Sequence, residues 1–195
     1  MELETGRATL PSPSTASRLS RVARAAGPVA LGALLVAVAA QVVVPLPFTP
    51  VPMTLQPLAV LVVGGLLGAA AGVSALILYI ALGALGFPVF AAGGSGVLHL
   101  IGPTGGYLLA FPVAAGVAGA LVRPAPSSVL RVLVACAIGM VIIHVGGVAQ
   151  LALLGGDPGT AFRIGFVPFL TGDLLKVGLA AAITLAVGPR LRPLL

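Results

Sequence analysis

Between Arg24 and Arg123 the chain carries no Asp, Glu, Lys or Arg. A soluble domain uses roughly 25% charged residues to keep its surface in water. This chain has 7%, against 59% hydrophobic. A membrane-crossing helix needs about 20 apolar residues, so the uncharged block alone has room for several. These observations predict an all-α integral membrane protein. One membrane domain, residues 27–195, fills the chain and leaves no room for a second folded domain. Residues 1–26, rich in Ser, Pro, Ala and Arg, are expected to form a basic, disordered N-terminal tail.

Gly and Pro divide the apolar block. Six helices are expected, over about 28–44, 54–70, 72–85, 107–122, 129–154 and 170–187. The first follows arginines and contains Ala37-Val38-Ala39, a weak match to a signal-peptide cleavage site. Its continuation through Gln41 and Val42 to Val44 gives it full span length, so it is read as a helix. Residues 45–53 hold four prolines and exclude helix. Residues 86–106 and 155–168 are expected to be long loops, and 123–128 a short turn.

Six spans place both termini on one side. Eight basic residues (Arg7, Arg18, Arg21, Arg24, Arg123, Arg131, Arg190 and Arg192) share that side, and Arg163 alone faces them. The positive-inside rule then predicts cytoplasmic termini in a multi-pass protein of the cell membrane. The net charge of +6 is thus spent on flanking a lipid bilayer. No basic stripe with stacking aromatics indicates nucleic acid. The three irregular loops all fall on the outer face. No phosphate-binding loop is present, so the chain cannot drive transport with ATP by itself. Cys136, the single cysteine, reads as a small buried side chain. No metal motif or cofactor signature occurs.

Asp173 and Lys176 stand out because the sixth helix is otherwise apolar there. Spaced i,i+3, they share one helix face. Intramembrane charges usually face a cavity or a partner. They are read either as a self-neutralising pair near the interface or as an acceptor and a donor presented to a polar solute. Asp173 also lies near the helix start, where the dipole favours negative charge. Gly93, Gly94, Ser95 and Gly96 offer backbone N–H groups that could cradle an anion. Tyr107 is placed in a pocket or at the membrane interface. His144 is read as a satisfied interior histidine, and Gln56 and Gln150 as helix-to-helix hydrogen bonders. Ala26, Ala30, Ala33 and Ala37 recur at helical spacing, and suit either internal packing or a partner helix.

The stretches "AQVVVPLPFTPVPMTLQPLAVLVVGGLLG", "YIALGALGFPVFAAGGSG", "GPTGGYLLAF" and "FLTGDLLKVGLAAAI", in this order and spacing, resemble the BioY family. These are the biotin-specific substrate-binding (S) subunits of energy-coupling-factor transporters. The resemblance implies a six-helix membrane protein that captures biotin from outside. It also implies a transmembrane coupling subunit and two cytoplasmic ATPase subunits as partners. It matches Asp173 and Lys176 to the acid and base that contact the biotin head, and brings the Gly-rich loop after the third helix and the segment from Gly102 to Tyr107 to the border of the pocket. Some relatives carry an Asn after the Pro-Val-Phe triplet, where this chain has Ala91 and Ala92.

Biotin's ureido ring has one carbonyl acceptor and two N–H donors. Lys176 suits the first and Asp173 the second. Phe48, Phe90 and Leu109 are expected as apolar walls, and the residues from Gly93 to Gly96 as the seat of the carboxylate. The expected function is solute capture for vitamin uptake, without enzyme activity. Two other classes compete. A structural membrane protein is one. An intramembrane serine protease is the other, since Gly93-Gly94-Ser95-Gly96 resembles the G-x-S-G of rhomboids, with Ser95 as nucleophile and His144 as base. An aspartyl protease needs two carboxylates at one site, and Asp157, the only other aspartate, lies in a loop.

Overall fold

The computed structural model describes residues 15–122 and 128–191, with residues 15–25 described by their backbone alone. Tail residues 1–14, most of the expected turn (123–127) and Arg192 lie outside the described residues. The chain forms α1 (Thr15–Ala39), β1 (Val43–Val44), β2 (Met53–Thr54), α2 (Gln56–Leu67), α3 (Ala69–Ala84), α4 (Leu98–Ile101), α5 (Gly105–Val122), α6 (Val129–Gly155), α7 (Pro158–Gly165) and α8 (Leu170–Leu191). Short 3-10 turns occur at Ala91–Gly93 and Val167–Phe169. Three helical stretches among the described residues are long and apolar enough to cross a membrane: Gly105–Val122, Val129–Gly155 and the continuous run Pro158–Leu191. Ala26–Ala39, Gln56–Leu67 and Ala69–Ala84 are shorter apolar helices. Leu34, Val38, Leu130, Val145, Leu174 and Leu175 point outward from them. This is the apolar surface of an integral membrane protein, and the all-α expectation holds.

Three local expectations need correction. The first helix begins at Thr15, inside the segment expected to be disordered. From Ala16 to Ala26 there is neither Gly nor Pro, and Ala and Arg are strong helix formers. That helix ends at Ala39, not at Val44. Val42, Val43 and Val44 are β-branched, and Val44 precedes Pro45, which pushes it to extended backbone. Val43 and Val44 pair instead with Thr54 and Met53, closing a hairpin over the proline-rich loop. The third correction is α7, which fills most of the expected loop 155–168. Asp157 accepts hydrogen bonds from the Gly159 and Thr160 amides, and Pro158 follows at the first helical position. Hydrogen bonds from Thr160 and Gly159 hold the Asp157 carboxyl below the usual carboxylate range.

Small residues set how closely the helices pack. At Gly68 the backbone takes φ 81°, and α3 folds back along α2. α5 and α6 approach through Gly106 and Gly146, where an added Cβ would lie 2.2 Å and 2.6 Å from the facing carbonyl oxygens. Such contact is the membrane substitute for a hydrophobic driving force between helices. Ala33 of the α1 small-residue face is buried in the core cluster with Ala75 and Leu76, whereas Ala26 and Ala30 are exposed. A second buried cluster gathers Leu61, Ala118, Val122, Val132, Cys136 and Ala180.

Candidate functional site

The hairpin, the segment from Phe90 to Thr104 and α7 gather at one end of the bundle, and a cavity lies beneath them. Its enclosed free volume is about 60 Å³. Its apolar wall comes from Val51, Phe90, Leu108, Phe111, Ile143 and Phe169, and its polar lining includes Gln56, Tyr107, His144, Asp173 and Lys176. Pockets of this make-up hold small molecules by apolar contact, with a few polar groups fixing orientation.

The charges sit at the start of α8. Phe169 ends a 3-10 turn, α8 begins at Leu170, and Asp173 falls in the first turn. Asp173 and Lys176 are each only 5% exposed. Lys176 Nζ donates to Asp173 Oδ1 at 2.8 Å, and His144 Nε2 lies 2.5 Å from Asp173 Oδ2. The Asp173 carboxylate is therefore held on both oxygens, by α8 itself and by α6. A lone charge here would be costly, and the partners remove most of that cost. Tyr107 donates from its hydroxyl to Gly165 O at 2.6 Å, tying α5 to α7.

A second polar chain braces the opposite wall. Gln56 Nε2 donates to Tyr79 Oη at 2.5 Å, and Tyr79 donates to Val89 O at 3.0 Å. Thr54 Oγ1 donates to Gln56 Oε1 at 3.1 Å. Phe90 stacks edge-on against Tyr79, with ring centroids 5.6 Å apart, and fills the space that Gly83 leaves. From the end of α1, Gln41 accepts from the Gly93 amide at 3.0 Å and donates to Phe90 O at 3.3 Å. This contact pins the Gly-rich segment over the cavity.

The structure brings Asp173, Lys176, Phe90 and Tyr107 to the cavity. Ala91 lines it too, and Ala92 is exposed with φ 55°, in the left-handed region. Phe48 stands off at 60% exposure, and Leu109 points outward, so Leu108 and Phe111 supply the wall that Leu109 was expected to give. Gly93, Gly94, Ser95 and Gly96 do not line the cavity. The amides of Gly93, Gly94 and Gly96 are already bonded to Gln41 Oε1, Ala91 O and Gly83 O, so they cannot cradle an anion. Gln56 bridges two helices as expected, while Gln150 donates to the Leu100 and Gly102 carbonyls and so anchors a loop. His144 is interior and satisfied, as expected. Sequence reasoning missed that its partner is Asp173, and that Gln56 and Thr54 line the cavity; His99 and Thr104 line it from the two segments expected at its border. The rarity of polar groups in lipid-spanning helices was the available signal.

Comparison with known proteins agrees with this architecture. The model of the BioY family matches residues 12–193. A probable biotin transporter BioY of Pyrococcus horikoshii is 40% identical over 155 residues, covering 80% of this chain and 90% of that protein. The biotin transporter BioY of Thermotoga maritima is 41% identical over 140 residues, covering 72% and 82% respectively. In fold, the chain matches a crystal structure of the S-component for biotin from an ECF-type ABC transporter. The TM-score is 0.75 at 22% identity, over 90% of this chain and 94% of that one. With the family model matched over residues 12–193, the chain belongs to the BioY family.

Proposed function

We propose that this chain is a biotin-capture subunit for vitamin uptake, binding its ligand in the cavity above Asp173 and Lys176. One observation carries the reading: a buried, mutually paired carboxylate and ammonium face a cavity whose other walls are largely apolar and aromatic. Biotin has the complementary make-up. Its ureido ring offers an acceptor to Lys176 and donors to Asp173, and its ring sulfur and alkyl chain suit Phe90, Phe111 and Phe169. Tyr107 closes the side of the pocket. The Gly93 to Gly96 segment acts as cover over the mouth, not as an anion nest. Phe48 stands outside the pocket.

The transporters named for its relatives support uptake, and the fold match supports assembly with an energy-coupling-factor complex. Within that reading the chain meets a transmembrane coupling subunit and two cytoplasmic ATPase subunits. The six apolar segments are six spans, with both termini in the cytoplasm and the cavity opening outward. The basic tail precedes them. The protease alternative finds no support. His144 faces Gly165 O and Asp173 with its two ring nitrogens, and among the described residues no hydrogen bond joins it to Ser95.

The test is calorimetry on the purified protein in detergent. Biotin is expected to bind with one-to-one stoichiometry. Desthiobiotin, which keeps the ureido group and lacks the sulfur, loses part of the affinity. An analogue without the ureido carbonyl binds hardly at all. Equal binding of all three would remove Asp173 and Lys176 from the recognition.

A further inference from the structure

We propose that His144 is a positioning residue: it fixes the Asp173 carboxylate so that its free lone pairs point into the cavity. The inference rests on the biotin-capture reading for its ligand, and on geometry for everything else. Asp173 makes two side-chain hydrogen bonds with different partners. The Lys176 bond is local, three residues along the same helix. It cannot by itself fix the carboxylate in space, because both groups ride on α8 and move with it. The His144 bond comes from α6, 29 residues away in sequence, and is the shorter of the two at 2.5 Å. It ties the carboxylate to a second helix.

The imidazole is itself held on several sides. Nδ1 lies 3.3 Å from Gly165 O, the carbonyl that also accepts the Tyr107 hydroxyl at 2.6 Å. Phe166 meets the ring edge-on at a centroid distance of 5.0 Å, and Tyr107 does so at 6.0 Å. Gly147, one turn along α6, leaves the space that the Tyr107 ring occupies. A Cβ there would come within 2.2 Å of ring carbons. His144 is 6% exposed, and packing on several sides sets its place in the wall. Its other side borders apolar grooves lined by Val141, Val145 and Phe166. Asp173 itself reaches one of these grooves, beside Leu174 and Val177. Groups that orient a functional carboxylate or imidazole in this way matter nearly as much as the groups they orient.

Two substitutions separate positioning from packing. His144→Phe keeps a planar ring between Tyr107 and Phe166 but has no polar atom. His144→Gln keeps an N–H donor that can reach Oδ2. His144→Phe is expected to weaken biotin binding about tenfold to a hundredfold, the range for losing a hydrogen bond to a charged group. His144→Gln is expected to recover most of that loss and to melt near the parent temperature, with His144→Phe melting lower because Asp173 loses a partner. Should His144→Phe not fold, His144→Leu serves as the apolar variant. Equal binding by parent and apolar variant overturns the proposal. Equal weakening by the apolar variant and His144→Gln also overturns it, because the imidazole would then be touching biotin directly.

A second readout needs no ligand. An apolar carbodiimide reacts with carboxyl groups, and the chain has only four acidic residues, so modification of Asp173 can be followed by peptide mass. Asp173 is expected to react faster in the apolar variant and at the parent rate in His144→Gln. This order in a parent that fails to bind biotin would sink the capture reading and leave the positioning role standing. A parent that binds biotin, with labelling unchanged in every variant, would do the reverse.

Discussion

The two ends of this helix bundle are held together by different chemistry. At the cavity end, Gln56, Tyr79, Tyr107, His144, Asp173 and Lys176 are buried and connected by hydrogen bonds between helices far apart in sequence. At the other end, Leu61, Val132, Cys136 and Ala180 are buried in an apolar cluster. Thr184 is the one buried side-chain oxygen without a partner among the described residues. The first end spends backbone regularity and desolvation to hold polar groups in place. The second relies on close approach. At Gly65, an added Cβ would lie 2.6 Å from Thr184 Oγ1. The contrast teaches that recognition and stability are separable here along the helix axes. A substitution at the dry end should leave recognition nearly intact.

The largest effect is expected at the charged pair. Lys176→Met leaves the Asp173 carboxylate without its ammonium, and breaking a buried pair costs about 3–5 kcal/mol. Biotin affinity measured by calorimetry is therefore expected to fall by more than about a hundredfold, the equivalent of 3 kcal/mol. Asp173→Asn should do the same. The double variant should regain a parent-like melting temperature, because no lone charge remains in the bilayer, and still not bind. Parent-like affinity in Lys176→Met would make the pair purely structural and dissolve the contrast between the ends.

Leu61→Ala probes the dry end. Leu61 is fully buried, and it fills the space against Gly139. Removing a buried leucine costs about 2–5 kcal/mol, through lost contacts and the cavity left behind. Thermal unfolding in detergent should shift downward accordingly, while the affinity of the protein that remains folded stays within about twofold of the parent, well under the 1.4 kcal/mol of a tenfold change. A parallel loss of affinity would show that the two ends are coupled.

The smallest effect sharpens the comparison. Thr184→Val exchanges an unsatisfied hydroxyl for a methyl of the same shape. Such an exchange is close to neutral or stabilising, by up to about 1 kcal/mol. A rise of a few degrees in melting temperature, or none, is expected. A clear destabilisation would reveal that the hydroxyl has a partner in the membrane, and that the dry end is less dry than it looks.

Much of this protein was written in its sequence. The absence of charge between Arg24 and Arg123 dictated a membrane protein, because no other solvent tolerates that surface. The prolines near residue 48 excluded helix there, because each proline removes a donor. The three-residue spacing of Asp173 and Lys176 placed both on one helix face, and a helix imposes that whatever surrounds it. What only the tertiary structure decided involves partners distant along the chain. Asp173 meets His144 across 29 residues, Tyr107 meets Gly165 across 58, and Gln41 meets Phe90 across 49. Periodicity carries no information about such pairs, since any buried polar group can be satisfied by whichever helix packs beside it. The same limit explains why the glycine amides looked free. A run of glycines announces available N–H groups, but only the folded chain shows that Gln41, Ala91 and Gly83 have already taken them.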